Sequence, residues 1–212
     1  MDIYDLTGKL ENGMWEYGTP FVPYSLKRIS SMEKDGYIAS ELVLTTHTGT
    51  HVDCPRHFGE ERRAIDMMDL KTFYGEAMLV DVSSKCGAKV QITKEMLKAC
   101  GAEELKENDI CVLKTGWFKM WNKKEYEEDY PYLTPGGAEY LVSKKIKMLA
   151  MDIPIIGDPD STEADMVLCE CETPSVYALV NLNVLPKRFT FAAFPLNLAV
   201  GDGSPVRAVA IV

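Results

Sequence analysis

The chain has 212 residues, a length that fits one domain spanning residues 1–212 and is enough to bury a full hydrophobic core. Its 46% hydrophobic and 26% charged residues match a soluble globular protein, and 32 acidic against 23 basic residues leave a net charge of −9. That balance argues against nucleic acid or an anionic membrane as partner, and no apolar run approaches the roughly 18–20 residues of a membrane span.

From the N-terminus, Met1-Asp2-Ile3-Tyr4-Asp5 opens with an acid and lacks the basic-then-apolar plan of a signal peptide, which predicts a cytoplasmic protein with reduced thiols. Residues 37–46 alternate loosely and are rich in β-branched side chains, which predicts a strand. Residues 77–82 (AMLVDV), 110–114 (ICVLK) and 148–153 (MLAMDI) are short apolar runs, the form of strands buried on both faces. Thr93 can cap a helix reaching about Cys100, with Gly101 at its stop. Residues 123–129 (KKEYEED) read as a solvated loop or helix face. Thr134-Pro135, a cap followed by proline at the first helical position, opens a second helix to about Lys144. Residues 165–172 are ambiguous between a short third helix and a loop. Residues 189–198 and 206–212 read as closing strands joined by a turn at Gly201-Asp202-Gly203-Ser204-Pro205. Strands at both ends, with strand–helix–strand units between them, predict an α/β or α+β domain with a mixed sheet. Cys169-Glu170-Cys171 is a C-x-C pair, but no second pair completes a tetrahedral set, so the cysteines read as inert thiols.

His47, His51 and His57 are the only histidines, and all three fall within one 11-residue window. On a helix His47 and His51 would stack at i, i+4, but three threonines, Gly49 and Val52 make the segment a poor helix. In an extended segment residues 47, 49, 51 and 53 share one face, with Gly49 leaving room above the backbone for an ion. Pro55 ends regular pairing, and His57 follows the bend. Two neutral imidazoles and a carboxylate form a ligand set open to water and substrate, of the kind that catalytic zinc and manganese sites use. The competing reading is a strand whose rings are merely hydrogen-bonded in the core. Three imidazoles with an aspartate on the same face favour the metal.

The run His47-x-Gly49-Thr50-His51-x-Asp53-x-Pro55-x-His57-Phe58 resembles the H-x-G-T-H-x-D-x-P-x-H-F signature of the cyclase family of metal-dependent hydrolases, to which bacterial kynurenine formamidases (arylformamidases) and isatin hydrolase belong. The likeness spans nearly the whole chain. Ile3-Tyr4-Asp5-Leu6-Thr7 is similar to the family's opening, Lys114-Thr115-Gly116-Trp117 to its central strand end, and Met151-Asp152 to the strand entering the second half. Phe194-Pro195-Leu196 with Gly203-Ser204-Pro205-Val206-Arg207-Ala208 is similar to the closing hairpin. The resemblance implies a swivelling β/β/α domain with a mixed sheet, assembled as a homodimer or homotetramer. It implies a divalent metal, zinc or manganese, held by His47, His51 and Asp53, with His57 as the proton acceptor and donor beside it. By the same likeness the formamidases use two zinc ions bridged by the aspartate, and isatin hydrolase uses one manganese.

Two positions depart from the formamidase pattern, in which a His and, twelve residues later, a Glu complete the centre. Matching Ala178-Leu179-Val180-Asn181-Leu182-Asn183 to the segment after that Glu sets Asp165 at the His and Tyr177 at the Glu. Asp165 stays a candidate ligand, whereas tyrosine is a poor substitute for a bidentate carboxylate. Glu170 and Glu172 are alternatives if the register slips. One ion per chain is therefore expected rather than two.

A divalent ion lowers the pKa of water toward neutrality and polarises a carbonyl. His57 can take the water's proton and pass it to a leaving amine. The expected reaction is hydrolysis of a small amide, formamide or lactam, with N-formylkynurenine first to test. Trp15, Tyr17 and Phe21 are aromatics near the N-terminus that can stack on an aryl substrate. Arg56 is the one cation of the motif window, and no glycine-rich phosphate cradle is present, so a small, uncharged or weakly charged aryl amide is expected over phosphorylated compounds. The alternatives are a lactam or ester hydrolase or cyclase on the same site, and a catalytically degenerate metal- or ligand-binding protein. The intact His57 speaks against the last.

Overall fold

The chain, described over residues 1–212 by a computed structural model, forms thirteen strands. They are β1 (Ile3–Asp5), β2 (Ser25–Arg28), β3 (Ser40–Val43), β4 (His51–Asp53), β5 (Tyr74–Asp81), β6 (Gln91–Ile92), β7 (Ile110–Lys114), β8 (Tyr132–Leu133), β9 (Met148–Met151), β10 (Ser175–Tyr177), β11 (Arg188–Ala192), β12 (Gly203–Pro205) and β13 (Val209–Ile211). Nine build one mixed sheet in the order β1-β13-β11-β5-β7-β9-β10-β4-β12. The helices are α1 (Met32–Asp35), α2 (Lys94–Ala99), α3 (Glu125–Glu128), α4 (Pro135–Ser143) and α5 (Glu163–Glu170).

The centre of the sheet is the parallel set β5, β7, β9 and β10, and its apolar runs divide by the pleat. Cys111, Leu113, Leu149 and Met151 join a core with Leu97 and Leu141 of the helices, while Ile110, Val112, Met148 and Ala150 join a second core with Phe191 and Ala210. Both faces are covered, which is why these strands read as unbroken apolar runs. Strands β11, β13 and β1 extend one side of the sheet antiparallel, and β4 and β12 extend the other. The result is the expected mixed α/β architecture around one large curled sheet.

The helix caps act as the sequence implies. Thr93 accepts from the Met96 N–H at 3.3 Å, and Thr134 accepts from the Gly137 N–H at 3.1 Å with Pro135 at the first helical position. The ambiguous 165–172 stretch is helical as α5, which begins at Glu163.

Four expectations need correction. Residues 37–46 supply only β3, which pairs with β2 in a separate ribbon instead of joining the main sheet. The 123–129 stretch is not solvated throughout, because Tyr126 of α3 is fully buried against Trp15 and Trp121 at ring-centroid distances of 4.9 and 5.7 Å. The two closing strands do pair, with Phe191 opposite Ala210, but no tight turn joins them. Part of the segment expected as that turn is instead β12, an edge strand on β4 with Ser204 opposite Val52. Its terminal Pro205 is tolerated there because an edge position leaves one side of the strand unpaired. The fourth correction concerns the backbone at the histidines and belongs to the site. No helix is long and apolar enough to cross a membrane.

Candidate metal centre

Strand β4 lies between β10 and β12, with His51 opposite Tyr177 and Pro205, and Asp53 opposite Ser175 and Gly203. The pleat turns His51 and Asp53 to one face and sends Val52 into the second core. His47 does not reach that face along a continuous strand, because residues 46–50 form a turn. Thr48 ties the turn to the residue before it: its hydroxyl accepts from the Thr45 N–H at 2.8 Å and lies 3.2 Å from the Thr45 hydroxyl. Gly49 adopts φ +63°, and a Cβ there would stand 2.5 Å from Leu10 Cδ2. Gly49 is therefore required by a left-handed turn packed on Leu10, not by space for an ion. Gly203 is the glycine that opens the site. A Cβ on it would meet the Val52 carbonyl at 2.7 Å, His47 Cε1 at 3.1 Å and Asp53 Oδ1 at 3.2 Å.

The donor atoms of His47, His51 and Asp53 lie within 4.8 Å of one another, and all three residues are buried. His47 Nδ1 is 2.7 Å and His51 Nε2 3.4 Å from Asp53 Oδ1. The nitrogens facing away are engaged as well. His51 Nδ1 lies 2.7 Å from the Gly49 carbonyl, which can only accept, so Nε2 presents its lone pair toward Asp53. His47 Nε2 lies 2.8 Å from Asp202 Oδ2. A histidine whose far nitrogen is fixed by a carbonyl or carboxylate is the usual arrangement of a metal-ligating imidazole. The residues present fit a divalent cation.

The charges say the same. Burial opposes a proton on His47, but the Asp53 charge and the hydrogen bonds His47 donates to Asp202 and Asp53 outweigh it and raise its pKa to about 10. Burial, joined by the positive His47, pushes His51 down to about 4, so it is neutral and able to ligate. Asp53 is fully enclosed, which would raise its pKa, yet His47 and His51 hold it below the ordinary carboxylate range. The hydrogen bond from His47 does the same for Asp202. Two ionised carboxylates thus converge on a group that retains a cation, either the His47 proton or a metal that replaces it. His57 stands at the rim, with Nδ1 3.3 Å from Asp202 Oδ2 and Nε2 3.9 Å from Asp53 Oδ2.

The adjoining wall, beside His51, is built differently. Tyr177 stacks on His51, with centroids 5.0 Å apart and planes 7° from parallel, and its hydroxyl lies 3.5 Å from Asp165 Oδ1. Burial and the nearby Asp53 and Asp165 charges raise the Tyr177 pKa well above its ordinary value, so the phenol keeps its proton. Asp165, buried and near Asp53, is pushed up to about 7. Asp165 lines the same cavity as the triad, with Tyr177 between it and His51. Glu170 and Glu172 do not line it, and Glu172 pairs with Arg63 at the surface.

Between the walls is a cavity of about 490 Å³. Tyr17 and Phe21 line it, edge-on to His51 at 6.1 Å and to His47 at 5.7 Å, and the Tyr17 hydroxyl donates to the Pro154 carbonyl at 2.6 Å. Trp15 does not line it, since its ring is buried against Tyr17, Trp121 and Tyr126. Arg56 is turned away, donating to the Glu60 carbonyl. The reading of the sequence missed Asp202, hidden in a Gly-Asp-Gly stretch taken for a turn, and the loop after β9 that brings Asp158 and Asp160 to the cavity. The signal for Asp202 was its place one residue before the closing motif. The loop carries no recognisable signal.

A family model described as "Putative cyclase" matches residues 4–157. The kynurenine formamidase of Bacillus thuringiensis (strain Al Hakam) is 30% identical over 212 residues, covering 97% of this chain and 95% of that protein. The kynurenine formamidase of Geobacillus thermodenitrificans (strain NG80-2) is 29% identical over 214 residues, covering 96% and 94%. Among solved structures, an isatin hydrolase bound to the product analogue thioisatinate superimposes with a TM-score of 0.92 at 25% identity, covering 100% of this chain and 92% of that one.

Proposed function

The chain belongs to the cyclase family, and from that premise we propose that it is a metal-dependent hydrolase that opens the carbonyl carbon–nitrogen bond of a small aryl amide, with a formamide as the leading candidate. The observation that carries this reading is the convergence of His47, His51 and Asp53, with the far nitrogens of both histidines fixed by Asp202 and Gly49. These three residues hold one divalent cation, and their mixed nitrogen and oxygen donors suit zinc or manganese. When bound, the ion supplies Lewis acidity, making water a nucleophile near neutral pH and polarising the substrate carbonyl.

The chain's own groups do the rest. Asp202 holds His57 through Nδ1 and leaves Nε2 toward the reacting centre. His57 takes the proton of the attacking water as the carbon–oxygen bond forms, then gives it to the nitrogen as the carbon–nitrogen bond breaks. The products are a carboxylate and an amine. Tyr17 and Phe21 supply flat apolar surface for an aryl ring, and their contact with the histidines keeps bulk water from that side.

A cyclic amide is the second reading. It is favoured by the overall likeness to the isatin hydrolase structure and by Tyr177, which leaves a second ion without its carboxylate. Hydrolysis of N-formylkynurenine, simple aryl formamides, lactams, esters and phosphoesters by metal-loaded protein tests both. Turnover of an amide or lactam supports the assignment. Preference for a phosphoester overturns it, and inactivity on the whole panel moves the protein to a metal- or ligand-binding role.

The protein acts in the cytoplasm, in keeping with six free cysteines. It assembles as a homodimer or homotetramer, a reading supported by Leu26, Ile29, Leu42 and Val43, large apolar side chains exposed on or beside the β2–β3 ribbon. Light scattering should give a multiple of 23.7 kDa, and the monomer mass at micromolar concentration would contradict it.

A further inference from the structure

We propose that His47, His57 and Asp202 form a second, weaker zinc site on the outer side of His47, filled only when zinc exceeds the one ion per chain, and that an ion there silences His57. The binding is independent of the hydrolase reading above; the inhibition rests on it. His47 stands between two sets of donors that share its ring. On one side its Nδ1 lies 2.7 Å from Asp53 Oδ1, which is 3.4 Å from His51 Nε2. On the other its Nε2 lies 2.8 Å from Asp202 Oδ2, which is 3.3 Å from His57 Nδ1. The donor atoms of His47, His57 and Asp202 all fall within 4.8 Å of one another, as those of the inner triad do. Tetrahedral zinc with bonds of about 2.1 Å sets its ligand atoms about 3.4 Å apart, so both sets stand near the spacing the ion needs.

Two differences make the outer set the weaker one. The side chains of His51 and Asp53 are enclosed, at 2% and 9% exposure, whereas those of His57 and Asp202 are 27% and 39% exposed. An ion reaches the outer set from solvent without displacing the inner one, but it competes there with water. His47 is also shared. Its Nε2 proton must leave to solvent before that nitrogen can ligate, and the ring then bridges two ions through its two nitrogens. Asp202 meets the charge of the outer ion as Asp53 meets that of the inner one.

The effect on His57 follows from its lone pairs. A neutral imidazole has one protonated and one free nitrogen. While Nδ1 donates to Asp202, Nε2 is free to take a proton. Once Nδ1 ligates an ion, the ring's proton sits on Nε2 and the base is gone.

The test titrates protein carrying one zinc per chain with further zinc chloride, by calorimetry, and follows turnover of an aryl formamide over the same range. We expect a second, weaker binding event that releases about one proton, and turnover that falls about 10²-fold or more as the event saturates. His57→Ala and His57→Gln should each keep the first ion and lose the second event. Cys171→Ser, which removes the exposed thiol, should leave the second event unchanged. On the unaltered protein, anomalous diffraction from crystals soaked in excess zinc should add a weaker peak between His57 and Asp202. Uptake of one ion at any excess overturns the proposal. So does a second ion that survives both His57 variants, disappears with Cys171→Ser, or peaks elsewhere.

The two readings fail separately. A second event lost with His57, on protein that turns over no formamide, keeps the site and removes the hydrolase. Turnover untouched by excess zinc, with no second event, keeps the hydrolase and removes the site. A second event that leaves turnover unchanged overturns the silencing of His57.

Discussion

His47 and Asp165 are both buried ionisable groups that feel the charge of Asp53, and the two walls of the cavity treat them in opposite ways. His47 is held between two carboxylates, and both of its nitrogens are engaged. Asp165 has no cation and one long contact to a phenol. The first wall is a preformed site for positive charge, complete with the groups that orient its ligands. The second could serve a metal only if a protonated tyrosine were to ligate, and Tyr177 is instead committed to stacking on His51. Ligand identity alone does not make a metal site; the partners behind each ligand do.

Substitutions that break this contrast should have the largest effects. His51→Ala or Asp53→Ala should abolish metal retention, measured by elemental analysis of protein never exposed to chelator, while Tyr177→Phe should retain about one ion per chain. Loss of the ion from Tyr177→Phe would make the phenol a ligand. His57→Ala should keep the metal and lose about 10²–10⁴-fold in turnover of an aryl formamide. If it loses metal as His51→Ala does, His57 is a ligand and not the proton carrier. Asp202→Asn should weaken metal affinity about 10–100-fold in a competition titration, since it removes the charge behind His47.

Metal affinity should also carry the sign of the His47 titration. Free of metal, His47 keeps its proton up to about pH 10, so binding at lower pH must release it. Affinity should therefore weaken about tenfold for each unit of falling pH, and calorimetry in buffers of different protonation enthalpy should report about one proton released. An affinity that does not change with pH contradicts this.

The smallest effect is expected from the second wall. Folding raises Asp165 from 3.8 to about 7, so the folded state binds the extra proton in that interval. Its cost is absent below the unfolded pKa, grows as pH rises from about 4 to 7, and is complete above 7. Asp165→Asn should then stabilise the protein at about pH 8 and very little at about pH 4, read by urea denaturation.

Much of this was legible in local signals. The runs at 77–82, 110–114 and 148–153 became central strands because burial on both faces leaves no room for polar positions. Thr93 and Thr134 marked helix starts through hydrogen bonds that span three residues. The histidine window pointed to a metal because chemistry concentrates residue types. Its backbone was misjudged, since the left-handed Gly49 turn depends on Leu10, far away in sequence. Asp202 and the strand β12 stayed hidden for the same reason. Gly-Asp-Gly-Ser-Pro carries every local mark of a turn, and only pairing with β4 makes part of it a strand and Asp202 a partner of His47.

Anomalous diffraction at the metal edge, on crystals of protein loaded with zinc or manganese and paired with elemental analysis of the same sample, tests the central contrast most directly. A single peak among His47, His51 and Asp53, with one ion per chain, is the predicted result. A second peak of comparable height beside Asp165 and Tyr177, with two ions per chain, would contradict it.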